Sequence, residues 1–148
     1  MKIVIANDHA GVELKKEIIA YIESLGHEVV NIGTDEAKSC HYPEYGKKAA
    51  LMVAGNEVDL GVLICGTGVG ISLAANKVKG IRCGVCSEAT TARLIRQHNN
   101  ANMIAFGARI VGLELAKDIV KAFLEAEFEG GGRHQQRIDM ITAIENEQ

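Results

Sequence analysis

The chain has no tryptophan, a single proline (Pro43) and only 4% aromatic residues. So few aromatics provide no platform for stacking bases or sugar rings. One proline excludes a Pro-rich linker. No apolar stretch approaches the ~18 residues of a membrane span. Met1–Asp8 meets its first acidic charge after one short apolar run, which reads as a buried strand without the h-region of a signal peptide. A basic stripe is also missing: 16 Lys+Arg against 19 Asp+Glu give a net charge of -3, too mild for a dedicated nucleic-acid binder. The expectation is one cytoplasmic domain over residues 1–148, with neither a nucleic-acid nor a membrane partner.

What the chain does have is 47% hydrophobic residues, 16 glycines and four cysteines, Cys40, Cys65, Cys83 and Cys86. With no secretory signal, a disulfide framework is not expected. Cys83-Gly84-Val85-Cys86 matches C-x-x-C, but no second Cys/His pair stands at metal spacing, and residues 81–86 alternate like a strand. Buried structural thiols are the better reading.

Strand and helix patterns alternate throughout. Residues 2–6, 28–32, 60–64, 81–86 and 103–106 read as strands, with 60–64 an uninterrupted apolar run suited to burial on both faces. Leu14, Ile18, Ile22 and Leu25 recur at helical spacing up to Gly26, and Pro43 opens a helix that closes at Gly55. Further helices are expected at 71–78, 88–98 and about 112–127, then a last one bearing Ile138, Ile141 and Ile144 after Gly130-Gly131-Gly132. This β-α order implies an α/β fold with a largely parallel five-stranded sheet. Ligands then bind beyond the carboxyl ends of the strands. The final helix reads equally as packing on the same core or as an arm on a second subunit.

Cys65-Gly66-Thr67-Gly68-Val69-Gly70 follows the central strand and opens a helix. Three alternate glycines let backbone N–H groups converge on an anion, and a helix start adds partial positive charge that favours a thiolate. Known loops fail here. A dinucleotide fingerprint would need glycine where Ile71 stands, a P-loop would need a lysine, and the cysteine phosphatase loop would need an arginine at that same position. After strand 1 come Asp8 and His9, either a helix cap or a pair that positions a hydroxyl or phosphate. His98 and Asn99 end a helix, where the imidazole is either a general acid or a partner of the helix dipole. Arg109 follows strand 5, and Arg133 and Arg137 stand four apart on one helical face. A thiol, an anion nest, an acid-capable imidazole and three arginines fit a phosphorylated small substrate and proton abstraction beside a carbonyl.

Asn7–Gly11, Cys65–Gly70, Arg93–Asn99, Ala105–Arg109 and Gly131–Arg137, taken in order, resemble the type-B ribose-5-phosphate isomerases, in the sugar-phosphate isomerase family that includes galactose-6-phosphate isomerase subunits. The resemblance runs from about residue 2 to residue 145. It implies a three-layer, Rossmann-like α/β/α sandwich and a homodimer with its active site at the subunit interface, the C-terminal helix packing on the partner; dimers could pair further into tetramers. It also implies isomerisation of a phosphorylated pentose, ribose 5-phosphate to ribulose 5-phosphate, with no cofactor and no metal. By matching position, Cys65 resembles the base and His98 the ring-opening acid, assisted by Asp8 and Thr67. Gly66, Thr67, Gly68, Val69 and Gly70 match the anion hole, Asn99 a hydroxyl contact, and His9, Arg109, Arg133 and Arg137 a phosphate clamp, the last two from the partner. Tyr42 falls in a segment bordering the sugar. Some relatives use a glutamate in the anion loop; with Val69 there and Cys at 65, this chain resembles the Cys-base branch. The third glycine of 130–132 alters the reach of Arg133 and Arg137. A hexose 6-phosphate isomerase and a non-catalytic sugar-phosphate sensor are the alternatives.

Overall fold

The computed structural model describes residues 1–148. Five parallel strands, β1 (Lys2–Asn7), β2 (Glu28–Asn31), β3 (Leu60–Cys65), β4 (Cys83–Val85) and β5 (Met103–Gly107), line up in the order β2-β1-β3-β5-β4. Six helices connect and follow them: α1 (Val12–Ser24), α2 (Tyr42–Ala54), α3 (Val69–Ala75), α4 (Ala89–Asn99), α5 (Leu113–Glu125) and α6 (Gly132–Asn146).

Both faces of the sheet are covered, which is why β3 and β5 are apolar at every position and β1 is apolar from Ile3 to Ala6. On one face Ile3, Ile5, Val62, Ile64 and Ile104 pack against Ile18 and Ile22 of α1, Ala92 of α4, and Ile119, Val120 and Phe123 of α5. On the other, Val4, Ala6, Leu63 and Ala105 meet Ala49, Ala50 and Val53 of α2 and Ile71 and Ala75 of α3. Each buried Ile or Phe contributes about 1.5–3 kcal/mol. The three-layer α/β/α expectation holds.

The connections explain where a site can form. Chain leaving β1 passes to the α1 face, chain leaving β3 to the α3 face, and chain leaving β5 to the α5 face. The chain therefore parts to opposite faces on both sides of the carboxyl end of β3, the position that open parallel sheets use for ligands.

Two elements differ from the periodicity. Strand β4 is three residues long, and just before it the Arg82 N–H donates to Asn102 Oδ1 at 2.9 Å. It is an edge strand, with Val85 exposed. Helix α3 begins two residues earlier than expected, immediately after the glycine turn. The last helix does not cover the core. Only Ile138 is buried, while Met140, Ile141 and Ile144 are 67%, 48% and 60% exposed.

Candidate active site

All six residues of β3 are buried, and the strand delivers Cys65 to the centre of the sheet's carboxyl edge, opposite Gly107 of β5. The chain then turns through Gly68 at φ +81°, a conformation that glycine adopts without strain. That turn aims the Gly68 N–H at Cys65 Sγ, 3.1 Å away. Val69 N–H donates to Thr67 Oγ1 at 3.3 Å. The first N–H groups of α3 lack intrahelical acceptors and carry its positive dipole end. Backbone ties hold the loop to β5: Ala108 N–H donates to the Cys65 carbonyl at 2.8 Å, and Arg109 N–H to that of Gly66 at 3.0 Å. The Arg109 guanidinium lies against Gly66, where a Cβ would stand 3.0 Å from Nη1. From the other side the Tyr42 ring covers Gly70, where a Cβ would stand 2.5 Å from Cζ.

Asp8 and His9 lie beside this loop, since Asp8 N–H donates to the Ile64 carbonyl at 3.2 Å. Asp8 is buried, and its Oδ1 caps the short turn at His9–Gly11 by accepting from Ala10 N–H at 2.9 Å. Its role as a cap is thus present, and its other oxygen carries no hydrogen bond within the chain. His9 Nδ1 accepts from Cys40 N–H at 3.3 Å, so a neutral ring holds its proton on Nε2. Beneath them Lys15, 1% exposed, donates to the Thr34 carbonyl and to Asp35 Oδ1, each at 2.6 Å, and anchors the segment leading to Cys40. The hydrogen bond from Lys15 holds the Asp35 carboxyl below its ordinary value.

His98 and Asn99 are elsewhere. Helix α4 carries the chain from the carboxyl end of β4 to the amino end of β5, so both residues sit at the opposite end of the sheet from Cys65. Arg82, just before β4, marks that end by donating to the Asn99 and Asn100 carbonyls. The five residues of β5 alone separate the two ends by about 13 Å. Arg133 and Arg137 go with His98: His134, between them on α6, stacks on the His98 ring with centroids 4.4 Å apart and planes 6° from parallel. Glu129 bridges the pair, with oxygens 3.9 Å from His98 Nε2 and 3.5 Å from His134 Nε2. None of Arg109, Arg133 and Arg137 is in an ion pair.

One chain therefore presents two groups. Asp8, His9, Cys65, the loop Gly66–Gly70 and Arg109 meet at the carboxyl edge; His98, Asn99, Arg133 and Arg137 meet at the amino edge. Sequence reasoning gave no role to Cys40, Glu129 or His134. His134 lies inside a motif it quoted, whereas nothing along the chain links Cys40 to a histidine 31 positions away. The spacing showed no metal-ligand cluster, yet folding brings donor atoms of His98, Glu129 and His134 within 4.8 Å of one another. Cys83 and Cys86 are free thiols, as expected, and burial pushes the Cys86 thiol up to about 11 and that of Cys83 higher still.

Comparison with known proteins identifies the family and the fold. Residues 3–141 match the family described as Ribose/Galactose Isomerase. The chain is 58% identical over 144 residues to ribose-5-phosphate isomerase B of Escherichia coli, covering 97% of this chain and 96% of that protein. The solved ribose-5-phosphate isomerase B of Clostridium thermocellum superposes with a TM-score of 0.97 at 50% identity, covering 99% of both chains. That of Mycoplasma genitalium, with bound ribulose-5-phosphate, superposes at 0.94 with 44% identity over 99% of this chain and 97% of that one. Matched along nearly its whole length in sequence and in fold, the chain belongs to the ribose/galactose isomerase family.

Proposed function

We propose that the chain is an aldose–ketose isomerase interconverting D-ribose 5-phosphate and D-ribulose 5-phosphate in the non-oxidative pentose phosphate pathway, working without a cofactor as a homodimer. The observation that carries this reading is Cys65 at the end of the central buried strand, its sulfur held by the N–H of a glycine turn that opens a helix. Relatives named for the pentose phosphate support the substrate class. The hexose 6-phosphate alternative is not favoured by these names. A sensor would need no thiol poised beside an anion nest. Four free thiols fit a reducing compartment, and no helix is long and apolar enough to cross a membrane, so the cytoplasm is the assigned location.

Ring opening comes first. An acid delivers a proton to the ring oxygen as its bond to C1 breaks and the C1 hydroxyl loses its proton, leaving the aldehyde. His98 takes the acid role, assisted by Asp8 and Thr67. The Cys65 thiolate then removes the C2 proton. The electron pair forms a C1–C2 double bond, placing charge on O1, where the N–H groups of Gly66–Gly70 stabilise it more than they do the aldehyde. Cys65 returns the proton to C1 and the O2 proton passes to O1, leaving the ketone. Asn99 contacts a hydroxyl. The phosphate is held by the Nε2–H of His9 and by Arg109, Arg133 and Arg137, three cations free to accept it.

A single chain cannot assemble this site, because His98, Asn99, Arg133 and Arg137 lie a sheet's length from Cys65. A two-fold dimer resolves the separation by setting one chain's amino edge against its partner's carboxyl edge, twice over. The exposed Met140, Ile141 and Ile144 of α6 supply apolar surface for that contact.

Turnover in deuterated water tests the chemistry. Cys65→Ala should lower kcat by about 10²–10⁴-fold and end deuterium entry at C1 of ribulose 5-phosphate, while ribose 5-phosphate still binds. Turnover within a few-fold of the unaltered protein would sink the assignment of the base.

A further inference from the structure

We propose that His98, Glu129 and His134 form an inhibitory site for a divalent transition metal such as Zn²⁺. Three separate pieces of chain supply the donors: His98 from the last turn of α4, Glu129 from the segment after α5, and His134 from the first turn of α6. Their ligand atoms lie within 4.8 Å of one another, with the carboxylate 3.5 and 3.9 Å from the two Nε2 atoms. Tetrahedral Zn²⁺ binds nitrogen and oxygen at about 2.0–2.2 Å, which places its donors roughly 3.3–3.6 Å apart. The 3.5 Å separation of His134 Nε2 from Oε2 is already in that range, and the other carboxylate oxygen, Oε1, lies 3.9 Å from His98 Nε2, so the carboxylate stands between the two rings. The imidazoles stack parallel, so a metal requires one ring to tilt until both lone pairs meet at a point. His98 is free to do so, since its side chain is 37% exposed while that of His134 is 15% exposed.

The backbone around the cluster is arranged to hold it. Glu129 N–H donates to the Gln97 carbonyl at 3.1 Å, pinning the carboxylate beside its neighbour His98. Gly130, Gly131 and Gly132, at φ +68°, +63° and +56°, then reverse the chain so that His134 returns to the same spot. Two imidazoles and one carboxylate are a ligand set that zinc accepts, with a fourth position left to water.

The functional consequence rests on the reading of His98 as the ring-opening acid. A bound metal occupies the Nε2 lone pair that would carry the proton, so binding and catalysis exclude each other.

Co²⁺ alone, added to the purified full chain, should give visible d–d bands of a four-coordinate site without the near-ultraviolet thiolate charge-transfer band. Zn²⁺ should displace it and inhibit the isomerase, with a chelator restoring activity. His134→Asn and Glu129→Gln should each raise the Zn²⁺ dissociation constant and the inhibition midpoint together. The rise should be at least the ~10-fold that even an outer-shell partner costs. A charge-transfer band, or affinity unchanged in both variants, would mean that Cys65 or Cys40 holds the metal and would overturn the site. Absence of Co²⁺ bands at millimolar metal would overturn it as well. Stoichiometric binding that both variants weaken, but that leaves turnover intact, would support the site and overturn the catalytic reading of His98.

Discussion

Gly68 presses its Cα against the main chain of Phe106, so closely that a Cβ would stand 2.8 Å from the Phe106 Cα and carbonyl carbon. The same residue holds φ +81° and donates its N–H to Cys65. Gly68→Ala meets two obstacles at once. The left-handed backbone costs about 1–2 kcal/mol, and the clash with main chain can be relieved only by moving the loop away from β5. The variant should lose at least that much stability in a denaturant melt and most of its turnover. Alanine tolerated with normal kcat would mean that the loop geometry is not what activates the thiol.

The separation of His98 from Cys65 gives a complementation test. Cys65→Ala and His98→Asn should each be nearly inactive alone. Mixed and reassembled, half of the dimers contain one chain of each, and each mixed dimer holds one site with both residues intact. Activity should recover to about a quarter of the unaltered level. No recovery, with mixed dimers demonstrated by mass, would place both residues in one chain's site.

Lys15 and Asp35 make an asymmetric pair, the ammonium 1% exposed and the carboxylate 71% exposed. Asp35→Asn leaves the buried ammonium with two neutral acceptors, the Thr34 carbonyl and the amide oxygen, and should cost about 1–3 kcal/mol at neutral pH. Lys15→Met returns Asp35 to water and keeps the stem packed. The Thr34 carbonyl retains its bond from Asn7 Nδ2 at 3.0 Å, so this change should cost less, below about 1.5 kcal/mol. The Asp35 carboxyl is held below its ordinary value, chiefly by the Lys15 hydrogen bond. Its contribution is thus complete above the ordinary carboxylate pKa and disappears as pH falls through the lowered folded value. Denaturant midpoints compared from neutral to acid pH should show the Asp35→Asn deficit shrinking below pH ~4. A deficit constant across that window would mean that the pair does not carry it.

Cysteine chemistry should sort by environment. Desolvation, the larger cause, and the charge of Glu88 raise the Cys86 thiol to about 11, and burial raises Cys83 further. Alkylation at pH 8 followed by peptide mass mapping should spare the buried Cys86 and, of the two part-exposed thiols, modify Cys40 ahead of Cys83. Labelling of Cys86 as fast as Cys40 in folded protein would contradict its burial beside β4.

Much of the architecture was legible because it is written in local periodicity. The apolar run 60–64 had to be an inner strand, and Gly-x-Gly-x-Gly behind it had to begin a helix. Other features were not. Lys15 stands at the edge of the α1 apolar stripe, and its burial depends on the segment returning through Thr34 and Asp35, which supplies its acceptors. The Arg82 N–H is taken by the side chain of a residue twenty positions on, while its carbonyl accepts from Met103.

By itself, the sequence determined the α/β class and the reactive candidates, since strand and helix periods and a glycine turn act over a few residues. It contained few aromatics, one proline and no long apolar run, and the fold fits those absences: helices wrapped around one sheet, with Gly68 and Gly107 where main chain packs on main chain. Only the tertiary structure decided which candidates share a place. Parallel strands force each crossover helix to run back across the sheet, so His98 is carried to the end opposite Cys65. The joining of His98, Glu129 and His134 follows from long-range packing that no spacing along the chain encodes.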